Sequence, residues 1–163
     1  MIILSIDSGL EKTGYAVFNK NKRYLNGFKY LSSGLIKTSK LKSKEKRLLD
    51  IYNRLEKLVE LNNPHLLLLE QLFFFKNQKT AIVVSQAQGI VLLLAAQKNI
   101  SIEFLTPLQI KEIITGYGHS DKKGIQKMIE ISLGISVVKK SDDETDAIAG
   151  GLAYCYLNKN LLK

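Results

Sequence analysis

The chain of 163 residues has no tryptophan, one cysteine, two prolines and two histidines. A single thiol cannot make an internal disulfide, so no covalent framework holds the fold and a reducing compartment is expected. Cys155 lies on an apolar helical face and reads as a buried structural thiol rather than a nucleophile. His65 and His119 have no Cys or His partner at zinc-like spacing, which argues against a structural zinc site. No uninterrupted apolar run reaches the 18 or more residues expected of a membrane span. The first residues lack the charged region and apolar segment of a secretory signal, so a cytoplasmic protein without membrane association is expected. Linkers, low-complexity segments and internal repeats are also missing, and residues 1–163 read as one domain long enough to bury its own core. Acids are in short supply too. Fifteen Asp and Glu stand against 24 Lys and Arg, for a net charge of +9. Such a balance favours a polyanionic partner, nucleic acid first and an anionic membrane surface second.

The few acids that remain are unusually placed. Asp7 ends the strand-like run Ile2–Ile6, and Glu70 ends the continuously apolar run Leu66–Leu69. Hydrophobic strands seldom stop on a carboxylate, because burying an unpaired charge is costly. Asp143 and Asp146 stand three apart at the start of a helical stretch, so they share a face in its first turn. Acids there are favoured by the helix dipole, which accounts for Asp142, Asp143 and Glu144 as capping residues. It accounts less well for Asp146, which is followed directly by Ala147-Ile148-Ala149.

The elements around these acids can be read from periodicity. Extended stretches are expected at Ile2–Ile6, Gly14–Asn19 and Tyr24–Lys37, separated by short turns as in antiparallel hairpins. A basic polar loop then leads to an amphipathic helix carrying Leu48, Ile51, Leu55 and Val59, which Asn63-Pro64 stops. His65–Glu70 has the pattern of a strand buried on both faces. Thr80–Gln97 is an almost uncharged helix in which Gly89 implies a close packing neighbour. A strand at Ile100–Leu105 is followed by a helix from the capping box at Thr106 to Gly116. Asp121–Leu133 forms another helix, ended by Gly134. A second capping box, Ser141 with Glu144, opens the last helix, which runs to about Leu157. The order β-β-β-α-β-α-β-α-α-α predicts an α/β fold with a five-stranded mixed sheet and helices on both faces. Right-handed crossover would put the strand ending in Glu70 parallel to the one ending in Asp7, both opening on the edge where α/β sheets carry their sites.

If Asp7, Glu70, Asp143 and Asp146 converge, they form a four-carboxylate set suited to hard divalent cations. Two Mg²⁺ ions about 4 Å apart could then drive phosphodiester hydrolysis. The segment Asp7-Ser8-Gly9 with Thr13-Gly14 also suits the phosphate cradle of sugar-kinase and actin-like ATPases. Those proteins need a duplicated domain, and this chain has no second half.

Several motifs then resemble one family, the RuvC Holliday-junction resolvases of bacteria. They are Ile6-Asp7-Ser8-Gly9, Thr13-Gly14-Tyr15, Leu69-Glu70-Gln71-Leu72-Phe73, Lys76-Asn77 and Gln86-Ala87-Gln88-Gly89. Pro107-Leu108-Gln109-Ile110-Lys111, Gly116-Tyr117-Gly118, Lys122, Gln126 and Asp143-Glu144-Thr145-Asp146-Ala147 follow in collinear order. The resemblance implies a ribonuclease H-like fold and a homodimer that binds a four-way DNA junction and nicks two opposed strands symmetrically. It implies Mg²⁺ as cofactor, with Mn²⁺ able to substitute, and Asp7, Glu70, Asp143 and Asp146 as the metal-binding catalytic set. It places Phe73 at the junction's exchange point, Lys111 and Lys122 on DNA phosphate near the scissile bond, and a branch-migration helicase as partner. Lys76 beside Phe73, and Lys123 beside Lys122, are further expected DNA contacts. Ser8 departs from the family's usual proline, which loosens the turn but removes no ligand. Two readings stay beside this one: a ribonuclease H-like nuclease acting on other branched or RNA-containing substrates, and a catalytically silent junction-binding protein.

Overall fold

The computed structural model describes residues 1–71 and 78–157. Its elements are β1 (Ile2–Asp7), β2 (Lys12–Lys20), β3 (Phe28–Lys37), α1 (Lys44–Asn62), β4 (Leu66–Glu70), α2 (Gln78–Lys98), β5 (Ser101–Leu105), α3 (Pro107–Thr115), α4 (Lys122–Leu133) and α5 (Asp142–Leu157). The strands form one sheet in the order β3-β2-β1-β4-β5. β1 and β2 pair antiparallel, as do β2 and β3, whereas β1–β4 and β4–β5 are parallel. The expected order of elements and the mixed five-stranded sheet are both present.

Alternation along the two central strands divides the core. Ile3 of β1 and Leu66 and Leu68 of β4 pack with Ile110, Ile114, Ile125, Ile129, Ile148 and Leu152 from α3, α4 and α5. Leu4, Ile6, Leu67 and Leu69 face the other way, against Ile51, Leu55 and Val59 of α1 and Val91 and Leu94 of α2. Successive side chains of a strand point to opposite faces, so a run apolar at every position is what a sheet covered on both sides requires. Each fully buried side chain of this size is worth about 1.5–3 kcal/mol.

Helix α5 lies unusually close to the sheet. A Cβ on Gly151 would fall 2.3 Å from the Phe18 ring, and one on Gly150 would fall 2.9 Å from Ser5 Oγ. Two glycines, and a serine among the apolar residues of β1, therefore bring this helix down onto β1 and β2.

Several expectations need correction. The third strand begins at Phe28 rather than Tyr24, because Tyr24–Gly27 is a turn closed by Gly27 N–H to Tyr24 O at 2.8 Å, with Gly27 at φ +79°. Among the described residues Gly89 has no packing neighbour: a Cβ there would meet nothing within 4 Å. It belongs to an open apolar face of α2 with Ile82, Leu92 and Leu93, which are 58%, 42% and 51% exposed. Ala81–Lys98 is, by length and composition, also apolar enough to cross a membrane, with mean hydropathy 1.4 over 18 residues of which 28% are buried. Scattered Ser and Gln conceal this when only unbroken apolar runs are considered. The α5 capping box is half formed. Ser141 Oγ accepts from Glu144 N–H at 3.2 Å, but the Glu144 carboxylate is engaged elsewhere. The box at Thr106 with Gln109 is complete, and Gly116 and Gly134 end α3 and α4 in the left-handed conformation. Cys155 is fully buried, and burial pushes its thiol up to about 12.

Candidate active site

The pleat that sorts the core also aims the acids. Asp7 has the parity of Ile3 and Ser5, and Glu70 that of Leu66 and Leu68, so both carboxylates face α5 rather than α1 and α2. Parallel pairing sets Ile6 opposite Leu69, which puts Asp7 and Glu70 side by side at the carboxyl ends of neighbouring strands. Asp7 in turn pairs across β2 with Gly14. A Cβ on Gly14 would fall 1.8 Å from the Asp143 carbonyl oxygen. The first turn of α5 therefore rests directly on β2 beside Asp7.

The turn carrying Asp7 into β2 is pinned twice. Thr13 Oγ1 donates to Gly9 O at 2.7 Å. Thr38 Oγ1 donates to Leu10 O at 2.6 Å, and Arg47 Nε donates to Thr38 Oγ1 at 2.9 Å. Ser8, at 8% exposure, has its Oγ buried with no hydrogen-bond partner among the described residues.

Asp7, Glu70 and Asp146 line one small recess with Ser5, Ile110 and Gly150. Glu70 and Asp146 also line an adjoining cleft of about 270 Å³ with Pro107, Lys111, Lys122 and Ile125. Asp143 opens on the neighbouring groove of about 920 Å³, which Gly9, Lys12, Arg47, Val83 and Lys140 share. The four acids interact electrostatically. Burial, followed by the fields of Asp146, Glu70 and Asp143, pushes the Asp7 carboxyl up from the ordinary 3.8 to about 7, against the pull of Lys122. Glu70 is raised by burial and Asp146, with Lys111 opposing. Asp146 is also raised, chiefly by burial of its carboxyl, although Lys122 and Lys111 draw it down.

Such a set fits a hard cation by the chemistry of its donors. Carboxylate oxygens are the ligands that Mg²⁺ and Ca²⁺ prefer, and positive charge would offset the burial and mutual repulsion that raise these acids. Among the described residues, no three His, Cys, Asp or Glu side chains are gathered into a finished metal cage. The acids share a recess and a field rather than a closed coordination sphere.

The expected DNA contacts are placed unevenly. Lys111 and Lys122 flank the acids as anticipated. Lys122 lies in the first turn of α4, where the helix dipole disfavours a cation and an external anion would be expected to offset it. Its Nζ instead lies 2.7 Å from Asp142 of α5, so part of that anion is supplied within the chain. Lys123 is exposed on the same turn. Phe73 and Lys76 lie outside the described residues, as do Phe74 and Phe75. Within the basic stretch 37–47, Lys40 pairs with Glu11, Lys42 with Asp50, and Arg47 bonds to Thr38. His65 sits at the amino end of the sheet, its Nδ1 accepting from Ile2 N–H at 3.2 Å.

Sequence reasoning missed a second set of residues. Glu144 was taken for a capping acid, yet its Oε1 accepts from Ser33 Oγ of β3 at 2.5 Å and from Lys140 Nζ at 2.7 Å. Tyr30 OH donates to Ser33 Oγ at 2.7 Å, and Lys140 Nζ reaches the same oxygen at 3.1 Å. The only hint in the sequence is that Glu144 and Lys140 stand four residues apart across the helix start.

Comparison with known proteins agrees with this architecture. The family model described as crossover junction endodeoxyribonuclease RuvC matches residues 3–155. The relative of that description from Caldicellulosiruptor saccharolyticus is 43% identical over 159 residues, covering 96% of this chain and 92% of its own. The one from Fusobacterium nucleatum is 41% identical, covering 91% and 77%. Among solved structures, Thermus thermophilus RuvC in complex with a Holliday junction substrate superposes with a TM-score of 0.87 at 24% identity, over 96% of this chain and 94% of that one. The fowlpox virus resolvase bound to Holliday junction DNA gives 0.63 at 17% identity, over 94% and 97%. The fold is thus the ribonuclease H-like fold of these resolvases. With a family model spanning nearly the whole chain and relatives above 40% identity, the protein belongs to the RuvC family of crossover junction endodeoxyribonucleases.

Proposed function

We propose that this protein is a structure-selective endonuclease that resolves four-way DNA junctions in recombination and repair, by metal-dependent nicking of two opposed strands. The observation that carries the reading is the meeting of Asp7, Glu70 and Asp146 in one recess, with Asp143 within their field, at the carboxyl ends of two adjacent parallel strands. These four residues would hold the metal, Mg²⁺ in the first instance and two ions per site, with Mn²⁺ as substitute. When bound, the metal would supply the positive charge on which phosphodiester hydrolysis depends. The chain's own residues set the stage for that reaction. Asp7 and Glu70 are fixed by strand pairing. Asp146 is carried by a helix that Gly150 and Gly151 bring close down onto the sheet. Lys111 and Lys122 stand where a DNA phosphate entering the cleft would meet them, and Lys123 extends the basic edge. Phe73 and Lys76 are assigned to the exchange point by resemblance alone.

The open face of α2 around Gly89 supports a homodimer, whose two-fold axis would match that of a junction. One domain over residues 1–163, a cytoplasmic location and cooperation with a branch-migration helicase complete the reading.

The test is incubation with a synthetic mobile four-way junction, with and without Mg²⁺, beside a linear duplex of the same sequence. Paired nicks at symmetric positions that require metal and disappear in Asp7→Asn are expected. Binding without cleavage under any divalent cation, or preferential cutting of RNA–DNA hybrids, would overturn the proposal.

A further inference from the structure

The cluster of Tyr30, Ser33, Lys140 and Glu144 lies outside the recess and none of its members is an expected ligand. It nevertheless joins the two parts of the fold that must agree for the acids to meet. Tyr30 and Ser33 belong to the outer strand β3, Lys140 to the loop before α5, and Glu144 to the first turn of α5, directly after Asp143. Ser33 Oγ is the hub: it accepts from Tyr30 OH and Lys140 Nζ and donates to Glu144 Oε1. Lys140 closes the ring with its own bond to Glu144. The Lys140 and Glu144 side chains are 24% and 13% exposed, so this ion pair is screened less than a surface pair. The start of α5 also rests on β2, through the close backbone contact at Gly14.

We infer that Glu144, held by Lys140, Ser33 and Tyr30, is a positioning residue that sets how tightly the metal is bound. It does so by locking the first turn of α5 to β3, which delivers Asp143 and Asp146 to Asp7 and Glu70. Capping alone needs no such partner. The backbone N–H of Glu144 already meets Ser141 Oγ, and that bond would survive any change to its side chain. Partners that orient ligands commonly govern metal affinity by about 10–100-fold when removed. The inference rests on the metal-site reading given above, and it adds residues on β3 that lie outside the acid recess.

The experiment titrates Mn²⁺ into purified wild type, Glu144→Ala, Ser33→Ala and Glu144→Gln. Free Mn²⁺ is followed by electron paramagnetic resonance, and thermal unfolding confirms that each variant folds. Junction affinity is measured separately in EDTA. Glu144→Ala and Ser33→Ala should weaken Mn²⁺ binding about tenfold or more. Glu144→Gln, which keeps the bond from Ser33, should recover part of the loss. Metal-free junction affinity should stay within about twofold of wild type, because a residue that acts by positioning α5 needs no contact with the nucleic acid. Unchanged Mn²⁺ affinity in folded Glu144→Ala would overturn the inference while leaving the metal site standing. An equal loss of junction binding would overturn it in favour of direct DNA contact. Failure of the wild type itself to bind Mn²⁺ would instead bring down the metal-site reading.

Discussion

At the scale of single residues, Asp7 is the most perturbed group in the site. An acid whose folded value is raised is protonated in the folded protein over a range where the unfolded chain has already ionised. Metal-free stability from this group is therefore greatest below the ordinary 3.8 and is lost as pH rises toward about 7. Asp7→Asn removes that loss. The variant should be more stable than wild type in EDTA at pH 8, by up to about 4 kcal/mol at 1.36 kcal/mol per tenfold. The gain should fade toward pH 4. Urea unfolding at several pH values measures this, and the same variant should show no metal-dependent cleavage. A related expectation concerns wild-type activity. Protons would compete with a metal held by Asp7, so cleavage at limiting Mg²⁺ should fall as pH drops through about 7, and extra Mg²⁺ should move the fall to lower pH.

At the scale of elements, the contact between β2 and α5 decides the geometry. Gly14→Ala would drive a methyl group into the Asp143 carbonyl, and neither backbone has room to yield without moving an acid. Overpacking of this kind typically costs about 1–3 kcal/mol. The expected result is a folded, less stable protein whose cleavage falls far more than its junction binding, read by thermal unfolding and single-turnover assays. Elements were also what the sequence disclosed best. Strand ends at Asp7 and Glu70, the caps at Thr106, Gly116 and Gly134, and the buried character of Leu66–Leu69 all come from local chemistry, and local chemistry survives folding. What stayed hidden depends on tertiary placement. The pleat aims Asp7 and Glu70 at α5 only once the sheet exists. The Glu144 carboxylate left its capping role for a strand more than a hundred residues earlier in the chain. Gly89, whose cost inside a helix implied a close contact, borders open space among the described residues, since a lone sequence cannot show whether a neighbour belongs to the same chain.

At the scale of the whole molecule, that open face stands on a helix whose other side is built into the core. Ile82, Gly89 and Leu93 recur at helical spacing on α2, opposite the buried Val91 and Leu94. A second copy of the chain is the occupant proposed above. Leu93→Glu should therefore shift the protein from dimer to monomer in sedimentation velocity without lowering monomer stability, because Leu93 is half exposed already. Coordinated cutting of the two opposed strands should be lost with the dimer, leaving slower, unpaired nicks.

The sheet order β3-β2-β1-β4-β5 has a consequence for the life of the chain during synthesis. Two of the four acids leave the ribosome within the first 70 residues, and the other two arrive only after residue 142. Until α5 emerges and settles on β1 and β2, the nascent protein carries half a site and a sheet missing the helix that covers one face. A polypeptide cut short by a damaged message would thus be born without the means to cut DNA. Coupling α5 to β1 makes the proposed site wait on an element that lies far along the chain from the strand where its first acid stands.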